Sequence, residues 1–422
     1  MASTSTRPAP AAKEMILTPV ITLEGPEDYV QSISYFPDGK QMISGCGDRA
    51  VRRWDLQAGK EIEKARKVCE HQLKAVAVSR DSRWVVTAGG NNEHGELKAW
   101  EVETGIVKTF HGHSQKINCI DISADGMMLA SGSADETTRI WSLDTGKLVA
   151  GPFEATDGVG AIRLSPDSKK LVANSWTGVC LEVWDIQTQK LDQRVKGKMT
   201  THWSAPVFWT NEGTILAVFS FNDLGASSFY EFDASTLETV GAPFKGHTLH
   251  IKSLALSSDG ALVASASQDC TIKLWAFESR QPLVSLDVRD PDIVVFSPDT
   301  QQLAYATEFK VYICNIPPNI LASIGLVTKG HPKETGATLR NLLDPDAARR
   351  PRPRNTSTPP FISCAPNLPI PLPTRDPQQH VFLRHLRNFL RLSSVTDVFP
   401  PVPNEEPRDP LDVYLLYFSF SS

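Results

Sequence analysis

Three residue types that can act together on an acyl group recur in this chain at one fixed spacing. His113, Ser131 and Asp135 stand 18 and 4 residues apart, and His247, Ser265 and Asp269 repeat both intervals. A nucleophile, a base and an orienting acid make up a catalytic triad. A unique active site does not occur twice in one chain, so a structural role is the better reading of both sets. His111-Gly112-His113 is the one arrangement suggesting a metal ligand pair. There is no GxxxxGK[ST] phosphate loop, no GxGxxG in a βαβ context, no HExxH and no GxSxG. Most carboxylates fall in turns or just after an aromatic residue, where solvated turn duty accounts for them.

The elements that must position these residues show as a repeat. A short apolar segment ends in an aromatic residue at Trp54, Trp100, Trp141, Trp184, Tyr230 and Trp275, with Cys314 in a weak seventh copy. The intervals are 46, 41, 43, 46, 45 and 39 residues. Ahead of each copy lies a tight-turn sequence: FPDG at Asp38, SRDS at Asp81, SADG at Asp125, SPDS at Asp167, TNEG at Glu212, SSDG at Asp259 and SPDT at Asp299. Pro fixes φ, Asp caps the turn and Gly tolerates φ > 0. INCIDIS-ADG-MMLASGS reads as strand, turn, strand by its period-2 patterning. Seven turns and seven strand ends agree in order and number, at a period expected of propeller blades.

HGHSQKINCIDISADGMMLASGSADETTRIWS and KGHTLHIKSLALSSDGALVASASQDCTIKLWA are the clearest copies. They resemble the WD40 repeat, or β-transducin-like, family over about residues 16–327. The resemblance implies an all-β fold, a seven-bladed WD-repeat β-propeller. It also implies that His113, Ser131, Asp135 and Trp141 form a blade-stabilising tetrad, and that His247, Ser265, Asp269 and Trp275 form another. The chemistry agrees: a buried Asp needs a donor, and an indole N–H needs an acceptor. His113 is then committed to its tetrad rather than to a metal, and neither metal nor cofactor is expected.

The other copies depart from the pattern. The first keeps Ser44, Asp48 and Trp54 but has Gly25-Pro26 where Gly-His is expected. The second has His71 and an insertion, GGNNEHGE. The fourth lacks the Asp and places Trp176 in the turn. The fifth has neither His nor Trp at the key positions. The resemblance also predicts that the last blade borrows a strand from the N-terminus. Both Pro19–Glu24 and residues 320–327 can fill that slot, and circular closure favours the former because it removes exposed edges.

Blade-entry loops and the turns before the strand-end aromatics share one face, which makes Gln115, Lys116, Ala134, His250 and Gln268 candidate partner contacts. Trp176 and Trp203 lie in irregular segments and are candidate interface anchors, or pack under local loops. Trp84 reads as a strand packing residue.

Composition bounds the rest. All nine Trp precede residue 276, while 16 of 30 Pro lie in the last 92 residues. Residues 1–14 and 328–422 are therefore expected to be disordered, flanking a propeller at 15–327. Within the Pro-rich C-terminal tail, residues 380–392 are amphipathic if helical, with Phe382, Leu386 and Phe389 on one arc and arginines on another. They can dock on a partner, pack on the propeller, or meet an anionic membrane. Arg354 to Pro359 places Ser357 in the spacing favoured by phosphopeptide readers, and RRPRPR at 349–354 is a candidate nuclear-import patch. The net charge of −5, from 43 basic and 48 acidic residues, argues against a bulk nucleic-acid binder. No apolar run reaches membrane-helix length, and MASTSTRPAPAAKEM lacks a secretory core. Seven scattered Cys suggest a reducing compartment. The expected role is a non-catalytic scaffold for proteins or peptides, cytoplasmic or nuclear, monomeric or within a larger complex. A regulatory subunit and a propeller enzyme with a central-channel site are the alternatives.

Overall fold

Each Asp-centred turn closes the same kind of hairpin. In the third copy the Ser123 hydroxyl donates to the Asp125 carboxylate at 2.5 Å, and the Met127 amide donates to the same oxygen at 3.0 Å. The Met128 amide in turn donates to Ser123 Oγ at 2.8 Å. The Ser–Asp bond recurs at Ser79–Asp81, Ser165–Asp167, Ser257–Asp259 and Ser297–Asp299. The residue after the Asp takes positive φ. Gly126 does so at 72°, whereas Ser82, Ser168 and Thr300 adopt 60°, 57° and 58° and bear the steric cost of a Cβ.

The computed structural model describes residues 18–62, 64–198, 206–221 and 226–324. The chain divides into two units, Met1–Thr374 and Arg375–Ser422, and all described residues lie in the first. Its hairpins build seven antiparallel sheets arranged as the blades of a β-propeller. Blades 1 to 7 begin at the inner strands Val30–Tyr35, Leu73–Val78, Ile117–Ile122, Val159–Leu164, Val207–Trp209, Ile251–Leu256 and Ile293–Phe296. Each inner strand touches the next, and the seventh touches the first, so they ring a central channel. Side chains tie neighbours at the repeat period: Ser32 Oγ accepts from the Val76 amide at 3.1 Å, and Ser253 Oγ from the Val294 amide at 3.2 Å.

The second strand of each blade is buried on both faces, not alternately. Trp84–Gly90 and Leu262–Ser267 have no exposed residue. Period-2 alternation fails there because each blade packs between two others, so both pleat faces meet apolar neighbours. Trp84 is accordingly a buried packing residue. Between blades, an outer-strand aromatic meets the next blade's Trp: Phe110 on Trp141 at 5.6 Å, Phe153 on Trp184 at 5.5 Å and Phe244 on Trp275 at 6.0 Å between ring centroids.

Pro19–Glu24 pairs antiparallel with Lys310–Asn315 and completes blade 7. Leu23 is fully buried in that seam against Trp54, Val311 and Ile313. The competing segment begins as a helix, Pro318–Ser323, whose Ile320 and Leu321 pack beside Tyr305 and Cys314. Its strand-like composition yields to Pro317-Pro318, which opens a helix at its first turn.

Candidate functional site

The two complete tetrads are built alike. His113 Nδ1 lies 2.9 Å from Asp135 Oδ2, and Nε2 lies 2.8 Å from Ser131 Oγ. Trp141 Nε1 donates to the same Ser131 Oγ at 2.9 Å. In blade 6 the matching distances for His247, Asp269, Ser265 and Trp275 are 2.9, 2.7 and 2.9 Å. A neutral imidazole satisfies this chain: Nδ1–H donates to Asp, the Ser hydroxyl donates to Nε2, and a Ser lone pair receives the indole. Burial works against the Asp135 charge. Hydrogen bonds from His113, Thr137 and the Ser114 amide outweigh it and hold the carboxyl well below the carboxylate range. Burial pushes the His247 imidazole below its ordinary value, more than Asp269 can restore. Each Ser Oγ is hemmed between imidazole and indole inside the blade, an arrangement that links loop to hairpin and leaves no room for a substrate. His111, the other half of the HGH sequence, is exposed. Among the described residues no cluster of three or more His, Cys, Asp or Glu can hold a metal ion.

The incomplete blades substitute other groups. In blade 1 Trp54 Nε1 still donates to Ser44 Oγ, at 2.9 Å, and Arg52 takes the histidine's part by pairing with Asp48 at 2.8 Å. In blade 2 His71 meets Glu96 of the insertion at 2.7 Å. In blade 4 the buried Glu182 accepts from Thr156 Oγ1 at 2.6 Å and pairs with Arg194 at 2.8 Å. Blade 5 stacks rings, Phe229 lying 4.4 Å from Phe244, and its buried Glu231 accepts from Thr214 Oγ1 at 2.6 Å. These substitutes escape the repeat pattern because each comes from a position that the tetrad does not use.

The loops held by these groups surround a cavity of about 690 Å³ at the mouth of the channel. Its wall carries the second residue of five inner strands: Gln31, Lys74, Asn118, Gly160 and Lys252. That column is readable once the copies are aligned, and the sequence reading missed it. Asp290, Asp292 and Glu308 line the blade 7 side. Burial works against the charge of Lys252, but Asp290 and Asp292, each 2.6 Å from its Nζ, raise its pKa above the usual lysine value. Lys74 goes the other way: burial and the nearby Lys116 lower its pKa.

Trp176, His250 and Gln268 all line this mouth. Lys116 stands over the Trp176 ring with Nζ 4.8 Å from the centroid. His250 is 4% exposed, so it is a wall residue and not a free rim contact; the Gln268 amide donates to its carbonyl at 2.9 Å and draws the loop inward. Gln115 and Ala134 sit on the same face, half-buried. The Lys116 carbonyl accepts from the Ala134 amide at 3.0 Å. Trp203, Ser357, Phe382, Leu386, Phe389 and the helix read at 380–392 lie outside the described residues. No described helix is long and apolar enough to cross a membrane.

The family model described as "WD domain, G-beta repeat" matches residues 17–55, 105–142 and 238–276. Those spans contain the closing strand with blade 1 and the two complete tetrads' strand-end tryptophans. The chain carries WD40 repeats. Among WD40 relatives it is 29% identical over 221 residues to "WD repeat-containing protein SL1-17" of Schistosoma mansoni, covering 51% of this chain and 65% of that one. It is 25% identical to "Cell division cycle 20.1, cofactor of APC complex" of Arabidopsis thaliana, over 61% of this chain and 56% of that one. To "Guanine nucleotide-binding protein subunit beta" of Oryza sativa subsp. indica it is 24% identical, over 62% and 60%. The chain thus spans less than two thirds of each of these three.

Proposed function

We propose that the chain is a non-catalytic interaction platform whose channel mouth receives a protein segment carrying neighbouring acidic and basic side chains. The observation that carries this reading is the divided charge of the mouth, with Lys74 and Lys116 toward one side and, toward the other, Glu308 beside Asp290 and Asp292, which share Lys252. Opposed charges around one cavity select and orient a complementary partner. The cavity volume suits a few side chains, and Trp176 offers an aromatic anchor beside them. Two relatives are named as the cofactor of a complex and as a subunit, which favours membership of a larger assembly as the setting for this role.

The test is affinity purification of the full chain against two surface variants, Lys74→Glu and the pair Asp290→Lys with Asp292→Lys. Specific partners bound by the wild type and lost from both variants support the platform. Identical partner sets in all three overturn it. A small molecule co-purifying with the wild type alone moves the reading to the enzyme class.

A further inference from the structure

Beside the channel mouth, between the outer strand of blade 6 and the hairpin of strands Gln302–Ala306 and Lys310–Asn315 in blade 7, lies a second cavity of about 590 Å³. Its wall combines the charged residues Asp287, Arg289, Asp290, Glu308 and Lys310 with the aromatic Tyr305, Tyr312 and Phe309. Tyr305 and Tyr312 stack at 5.1 Å with 22° between their planes, and Phe309 stands 41% exposed at the rim. Tyr29, 46% exposed, extends the aromatic edge, its ring 5.1 Å from that of Phe309. Val288 supplies the remaining apolar contact. Exposed aromatic rings are the surface that grips polyproline II segments. Such segments arrive already extended and lose little entropy on docking.

We propose that this groove docks the chain's own segment Pro366–Thr374, PNLPIPLPT. Four of its nine residues are Pro and three are Leu or Ile, so in a polyproline II helix it presents rings and branched aliphatic groups without charge. The described chain ends at Ile324, just after a helix whose Ile320 and Leu321 pack in the same apolar cluster as Tyr305. That helix sits at the far end of blade 7, one strand length from the groove, or roughly 20 Å for the six residues of Lys310–Asn315. A flexible linker of 42 residues, the interval from Ile324 to Pro366, would reach about 32–39 Å. The span is covered, at an effective concentration of order millimolar. Asp290 and Glu308 line both cavities, so the docked segment lies against the partner face.

The test uses a fluorescent peptide of residues 366–374 and the full chain in three forms. These are the wild type, a triple variant Pro369→Ala, Pro371→Ala and Pro373→Ala, and that triple variant with Phe309→Ala added. Phe309 is a rim residue, so its loss leaves the fold intact, which circular dichroism verifies. The peptide is expected to bind the triple variant about tenfold more tightly than the wild type, whose own segment competes. Adding Phe309→Ala should remove that binding. Equal binding to wild type and triple variant, binding to neither, or binding that survives Phe309→Ala each overturns the proposal. So does sedimentation of the wild type as a concentration-dependent dimer that the triple variant abolishes, because the segment would then occupy a second copy.

Discussion

One serine hydroxyl holds each complete tetrad together. Ser131 and Ser265 are fully buried and join imidazole to indole. Removing the acid at the far end strands several donors at once: Asp135 takes bonds from His113, Thr137 and the Ser114 amide. Asp135→Ala should therefore cost about 2–3 kcal/mol, as for loss of a hydrogen-bonded charge, read from urea unfolding at pH 7.5. The titration has a defined sign. The folded-state pKa of His247 is depressed, so its contribution is complete above the unfolded value of 6.5 and is lost as pH falls below it. Those of Asp135 and Asp269 are also depressed, so theirs begins to go only below the unfolded value of 3.8. Wild-type stability should drop as pH falls below 6.5, and a His247→Gln variant, weaker at pH 7.5, should show a flatter curve there. Parallel curves would refute the assignment.

Among the elements, the N-terminal strand concentrates the most risk. Leu23 is buried in the seam of blades 7 and 1, whereas Glu24 pairs with Lys310 in solvent. Leu23→Ala should cost about 2–4 kcal/mol and Glu24→Ala less than about 1 kcal/mol, compared by thermal unfolding of the two variants. The blade count, the turns and this strand's destination were legible, because a tight turn repeated seven times and a strand-end aromatic repeated six times are local signals. Arg52 in the histidine's place was not, since nothing in VRRWD tells which arginine turns inward. The stacked Phe229 and Phe244 of blade 5 were equally hidden, because their contact joins strands rather than neighbours in sequence. The mouth was half legible. Trp176, His250 and Gln268 stood out as loop residues, but Lys74 and Lys252 lie within strands, where alternation alone marks them as solvent positions.

At the scale of the molecule, closure makes the ring one cooperative object. The blade 7 sheet is held by strands from both ends of the propeller, so blades cannot peel away singly. Tryptophan fluorescence and far-UV circular dichroism should report one coincident unfolding transition, and Leu23→Ala should shift both together; separate midpoints would contradict this. The same seam sets a clock during synthesis. Glu24 and its partner Lys310 are 286 residues apart. At about 5–20 residues per second the ribosome needs roughly 15–60 s between making one and the other. For that interval every nascent chain carries a strand whose mate does not yet exist, so the ring cannot close until its last blade has been made.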